Sequence, residues 1–153
     1  MRPSLRSFPR TAGIRFVVFL AMGGWLASAG QAQNPAIAQG AAASPARSLL
    51  EFGSSPATIV CLGDSVTGVY YHTGGRRAYP EMLELAIRKA VPQAQVKVIN
   101  AGISGHTTIQ GLARLDRDVL QHKPNLVTIS FGLNDMTRVP EDQFVENLTT
   151  LVA

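Results

Sequence analysis

The sequence predicts an α/β fold, a parallel sheet covered by helices on both faces, and predicts that this fold is C-terminally incomplete. Three observations carry that reading. Short apolar runs, ATIVCL from residue 57, VKVIN from 96 and LVTISF from 126, each lead into a turn signal, as strands buried on both faces do. Amphipathic patterns of helical length separate and follow them, so the crossovers are right-handed and the strands parallel. The last residues, FVENLTTLVA, lie in the middle of a helical pattern with no capping signal, and three strands make a small sheet with an open edge.

The chain opens on an expected signal peptide, residues 1–32. Arg2, Arg6, Arg10 and Arg15 precede or begin the apolar run FVVFLAMGGWL at 16–26, and small residues follow in ASAGQA. Ala27-Ser28-Ala29 fits the A-x-A cleavage pattern, with Gly30-Gln31-Ala32 as a second option. The run is shorter than the roughly 20 residues of a spanning helix. An exported protein, periplasmic or secreted, is expected, with no stable membrane anchor after cleavage; an uncleaved anchor lengthened through Ala29 is the alternative. Residues 33–56 are rich in Ala, Gly, Ser and Pro without an apolar period, and read as a flexible spacer.

The folded part is expected over 57–153. After its first strand, AYPEMLELAIRKA repeats Tyr79, Met82, Leu83, Ala86, Ile87 and Ala90 at intervals of three and four. Pro80 suits the first turn of that helix and Arg88 and Lys89 the last. After the second strand, IQGLARLDRDVLQH sets Leu112, Leu115, Val119 and Leu120 on one face and Arg114, Arg117 and Asp118 on the other, until Pro124 stops it. A final helix from near Pro140 carries Phe144, Val145, Leu148, Leu151 and Val152.

At 153 residues the chain is long enough for one domain. Its formal charge of +4 is a property of the leader, because beyond residue 15 basic and acidic residues are equal in number. A nucleic-acid binder would carry its basic stripe on the folded part, so that partner class is set aside. The one cysteine, Cys61, excludes an internal disulfide; it lies within an apolar run and reads as a small core residue.

Ligands in open parallel sheets bind at the carboxyl ends of the strands. That rule selects GDSVTG, AGISGHTT and FGLNDMTR, which follow the three strands and should crowd one rim. A phosphate loop needs Lys and Ser/Thr where Val69 and Tyr70 stand, and no G-x-G-x-x-G occurs. The G-x-S-x-G elbow is matched only through Gly63-x-Ser65, since Thr67 replaces its second glycine. No H-E-x-x-H or cysteine cluster supports a metal, and no cofactor is expected. Acyl transfer fits better. Ser65 stands at a strand end after a tight turn. The Gly105 N–H, the Asn134 amide and the Ser65 N–H are candidate donors to a developing oxyanion. Gly63, Asp64, Gly132 and Asp135 are expected to support these turns, and His106 to stand in the cleft wall. The bland alternatives are an N-capping serine at 65, a positive-φ glycine at 105 and turn chemistry at Asn134.

GDS, NAGISGHTT and FGLND resemble the first three sequence blocks of the SGNH hydrolases, the GDSL esterases and lipases. Within them the chain is most similar to the bacterial lysophospholipase and thioesterase group. GLARL and HKPNLV extend the similarity, which covers residues 58–136. It implies a three-layer α/β/α sandwich close to flavodoxin-like order. It also implies Ser65 as nucleophile, with Gly105 and Asn134 completing an oxyanion hole beside the Ser65 N–H. The chain departs from the family in one respect. The family's base is a histidine in a later D-x-x-H block, whereas His72, His106 and His122 are the histidines present and none stands in that motif. Asp118 and His122 are expected on a helix facing away from the rim. Two readings follow. One is a serine esterase acting on a small ester, an acetylated sugar or a lysophospholipid, truncated here and inactive in this form. The other is a non-catalytic module that holds a glycan or acyl ester. A nucleotide-binding α/β domain is a weaker third.

Overall fold

The computed structural model describes residues 15–20, 55–68 and 73–153. Strands β1 (Arg15–Leu20), β2 (Ala57–Gly63), β3 (Val96–Gly102) and β4 (Leu126–Phe131) form one parallel sheet in the order β1-β4-β2-β3. The helices are α1 (Ser65–Gly68), α2 (Tyr79–Ala90), α3 (Thr108–Ala113), α4 (Leu115–Asp118), α5 (Asp135–Arg138) and α6 (Glu141–Val152), with a 3-10 turn at Leu120–His122.

The central strand shows why the apolar runs are continuous. Successive side chains of a strand point to opposite faces. In β2, Ile59 and Cys61 join Ile87, Ala94 and Val96 on one face. Val60 and Leu62 join Ala101, Val119, Val127, Ile129, Phe131 and Leu151 on the other. Both sets are buried, so neither face tolerates a polar alternation. Helix α2 covers the first face through Tyr79, Leu83 and Ile87. Leu112, Leu115, Phe144, Leu148 and Leu151 bring α3, α4 and α6 over the second. This is the expected α/β/α layering. Burying Leu151, 1 % exposed, holds α6 with about 2 kcal/mol of apolar transfer energy. Cys61 is fully buried, and burial raises its thiol pKa. That is the behaviour of a core residue and not of a nucleophile.

Four expectations need correction. The apolar stripe of α2 is narrower than the periodicity suggested: Met82 is 53 % exposed, and Ala86 and Ala90 are exposed, because contact runs along the i, i+4 row Tyr79–Leu83–Ile87. The stretch from 109 to 122 is not one helix. It breaks at Arg114, whose backbone (φ −114, ψ 7) leaves the helical range, and continues as α4 and the 3-10 turn. Arg114 was expected on the solvent face beside Arg117 and Asp118; it is 5 % exposed, because the break turns its side chain inward to backbone carbonyls. The sheet, finally, has a fourth strand. Arg15–Leu20, within the expected leader, pairs in parallel with Leu126–Phe131 at one edge of the sheet. A short apolar run such as RFVVFL, rich in β-branched and aromatic residues, satisfies strand and leader patterns alike. The rest of the expected leader, and the spacer up to residue 54, lie outside the described residues.

Candidate active site

Strand β2 delivers its last residue, Gly63, into a turn with no room for a side chain. A β carbon there would overlap Thr67 Oγ1 and lie 2.6 Å from Ser130 O. The next residue, Asp64, caps the short helix α1. Its Oδ1 accepts the Val66 N–H at 2.9 Å, and its carbonyl accepts the Thr67 and Gly68 N–H groups at 3.2 and 3.3 Å. Capping by the residue before Ser65 removes the bland reading of the serine itself. Ser65 takes the first helical position and is 8 % exposed.

The second rim segment is tied to the first. Ile103 N–H donates to Gly63 O at 3.1 Å, and His106 N–H closes a turn onto Ile103 O. Gly105 sits within that turn at φ +75, a conformation that favours glycine, so the conformational reading of Gly105 holds. Its carbonyl accepts Arg138 Nη1 at 2.8 Å.

The third segment locks all three together. Asn134 Nδ2 donates to Asp64 Oδ2 at 3.2 Å and to the carbonyl of His106 at 3.0 Å. One side chain thereby bonds the residue before Ser65 and the residue after Gly105. The loop that carries Asn134 is held in turn by Asp135, 2 % exposed. Its Oδ1 accepts the Thr108 N–H at 2.8 Å and the Thr108 hydroxyl at 2.6 Å; its Oδ2 accepts the Gly132 N–H at 3.2 Å. Gly132 adopts φ +127, and its carbonyl accepts the Met136 N–H. Thr108 Oγ1 accepts Asn147 Nδ2 at 3.0 Å, which joins α6 to the network. Asn147 is buried, with its amide engaged in this bond. Thr108 and Asn147 were not singled out from the sequence, because nothing in their spacing marks a shared acceptor across 39 residues.

His106, expected in a cleft wall, has its Nδ1 buried and without a partner among the described residues. Burial, and then the Arg114 charge, hold its pKa below the usual 6.5. The unfolded chain therefore binds a proton that the native state resists. Stability attributable to His106 is intact above pH 6.5 and declines as pH falls through that value toward the depressed native one. His106→Gln is expected to flatten the loss of stability between about pH 7 and pH 5, read from urea midpoints. Equal slopes for parent and variant would show that the imidazole titrates normally. Among the other histidines, His72 lies outside the described residues together with Tyr70 and Tyr71, while Arg76 and Arg77 are exposed. His122 is in the 3-10 turn. Asp118, expected to face away, bonds Arg114 and Arg117, and through Arg114 it is linked to the strand ends. Four exposed apolar residues, Val66, Ile109, Leu133 and Met136, lie on the rim segments or the helices that follow them.

Comparison with known proteins matches residues 61–153 to the model of the GDSL-like Lipase/Acylhydrolase family. Thioesterase 1/protease 1/lysophospholipase L1 of Escherichia coli K12 is 37 % identical over 99 residues, covering 64 % of this chain and 45 % of that protein. An arylesterase of Vibrio mimicus is 36 % identical over 96 residues, covering 62 % and 46 %. Among solved structures, an acetyl xylan esterase of Geobacillus stearothermophilus superposes with a TM-score of 0.56 at 28 % identity, covering 64 % of this chain and 54 % of that one. A lipase/acylhydrolase of Enterococcus faecalis superposes with a TM-score of 0.52 at 39 % identity, covering 63 % and 50 %. The chain spans about half the length of the curated relatives it matches.

Proposed function

Because the chain belongs to the GDSL-like lipase/acylhydrolase family, we propose that Ser65 is the nucleophile of an exported carboxylic ester hydrolase. Its oxyanion hole comprises the N–H groups of Ser65 and Gly105 and the amide of Asn134. The observation that carries this is the pair of hydrogen bonds from Asn134 Nδ2 to Asp64 and to His106, which draws the three rim segments together beside the serine. Ser65 Oγ bonds to the carbonyl carbon, and its proton passes to a base. The carbonyl oxygen becomes anionic and faces the donors. Collapse breaks the bond to the leaving alcohol, which takes the proton, and water then releases the acid from the acyl-serine. Both Nδ2 protons of Asn134 already have acceptors, so the oxyanion takes over or shares the longer bond, to Asp64.

A serine needs a base to react, and residues 1–153 contain no D-x-x-H. We place the base, with its orienting acid, in such a block in a longer gene product. The second reading is a module that holds a glycan or acyl ester without turnover. The substrate class is a small ester, an acetylated sugar or a lysophospholipid. The names of the relatives, an arylesterase and a thioesterase/lysophospholipase, support an ester substrate, and exposed Val66, Leu133 and Met136 support an apolar acyl group.

The test uses the full-length gene product with p-nitrophenyl acetate and a fluorophosphonate probe. Hydrolysis is expected, with the probe's mass on the peptide containing Ser65. Turnover with the probe on another residue would overturn the assignment. Ester binding with neither turnover nor labelling would establish the binding module in its place.

A further inference from the structure

We infer that Arg114 is a positioning residue that clamps the nucleophile strand to the oxyanion strand. The inference rests on the esterase reading and adds to it a residue that touches no substrate. Arg114 lies at the break between α3 and α4, 5 % exposed. Its guanidinium donates from Nη2 to Gly63 O at 2.8 Å and from Nη1 to Ala101 O at 2.7 Å. Nη1 also reaches Asp118 Oδ2 at 3.0 Å. Gly63 ends β2 and lies two residues before Ser65. Ala101 is the penultimate residue of β3 and lies four before Gly105.

These two carbonyls stand where the ladder gives out. Gly63 pairs with Gly102 as the last pair of the β2–β3 register. Beyond it, the Ile103 N–H on Gly63 O continues the connection between these two strand ends. An exposed strand end can turn to water. Here the two strand ends are held by a planar fork whose two terminal nitrogens point at acceptors on adjacent strands. Asp118 fixes the fork from behind, and the charge makes each bond shorter and stronger than an amide–carbonyl pair. A lysine ammonium is a point donor on a flexible stem and cannot reproduce that reach.

The consequence is catalytic because donors must meet the oxyanion within fractions of an ångström. A displacement of about 1 Å in a part remote from the chemistry can cost about 10²-fold. Losing the clamp frees the two loops from one another and leaves their residues unchanged. The loss should fall on kcat and leave KM nearly intact.

In the full-length protein, Arg114→Lys and Arg114→Ala are expected to lower kcat for p-nitrophenyl acetate by about 10- to 100-fold with KM within about threefold. Guanidinium at tens of millimolar should restore part of the Arg114→Ala rate, and methylammonium should not. Folded variants with kcat near that of the parent, or a loss that guanidinium leaves untouched, would overturn the clamp. Should neither variant fold, amide hydrogen exchange on the unsubstituted chain decides. The Ile103 N–H, which shares Gly63 O with Arg114, is expected to exchange only on global opening. Exchange as fast as in an exposed loop would refute the clamp. An inactive parent would count against the esterase reading alone, since the exchange measurement needs no turnover.

Discussion

Ser65→Ala in the full-length protein is expected to lower kcat/KM for p-nitrophenyl acetate by about 10⁴-fold or more, while the thermal midpoint stays within a few degrees of the parent. The two halves of this result belong together. A capping serine would show the opposite pattern, a loss of about 1 kcal/mol of stability with little effect on rate. The structure gives the cap to Asp64, whose Oδ1 accepts the Val66 N–H. That leaves the Ser65 hydroxyl free of the capping role, as the proposed nucleophile requires. With the proposed Gly105 and Asn134 donors still in place, some acceleration over water should survive the substitution. Asp64→Ala supplies the contrast. It removes the helix cap and the Asn134 acceptor together, so it should lose stability and rate at once. Rates and midpoints measured side by side for the two variants separate the roles. Equal rates for parent and Ser65→Ala would end the nucleophile assignment.

The layers were legible in the sequence because burial on both faces leaves a direct mark. Ile59, Val60, Cys61 and Leu62 are all apolar because each successive side chain meets a packed face. The rim was legible for a related reason: strand ends in a parallel sheet share one edge, so three segments far apart in sequence had to meet there. The connection between them was not legible. Nothing in the order of residues says that one Asn134 amide would bond both Asp64 and His106, since hydrogen bonds across 70 and 28 positions follow from packing and not from period. Arg114 was hidden for a different reason. Its place in IQGLARLDRDVLQH suits a solvated helix face, and only the break in the helix turns it inward to strand carbonyls. A charged residue between Ala113 and Leu115, as in GLARL, was the available signal. The edge strand Arg15–Leu20 was obscured because a short apolar run carries no period that separates strand from leader.

Asp135→Ala is expected to cost about 3–5 kcal/mol of stability and to reduce turnover with it. The carboxylate is 2 % exposed and accepts three hydrogen bonds, from the Thr108 N–H, the Thr108 hydroxyl and the Gly132 N–H. Alanine leaves those donors in a site that water cannot readily replace. Bonds to a charged acceptor contribute about 1.5–3 kcal/mol each, and strand each partner when they are lost. Asp135→Asn separates charge from shape: its oxygen can still accept from Thr108, but its NH₂ faces the Gly132 N–H, so an intermediate loss is expected. The damage should spread in two directions. Toward the site, the loop from Gly132 to Asn134 loses its anchor, so the Asn134 amide is no longer held against Asp64 and His106. Toward the core, Thr108 Oγ1 loses the acceptor that orients it for Asn147, and α6 loosens. A double-mutant cycle of Asp135→Asn with Thr108→Val should therefore show coupling of about 1 kcal/mol or more in urea unfolding. Additive losses would mean that Asp135 acts on the Gly132 turn alone, and that α6 is held by Leu151 and its apolar neighbours without help from this network.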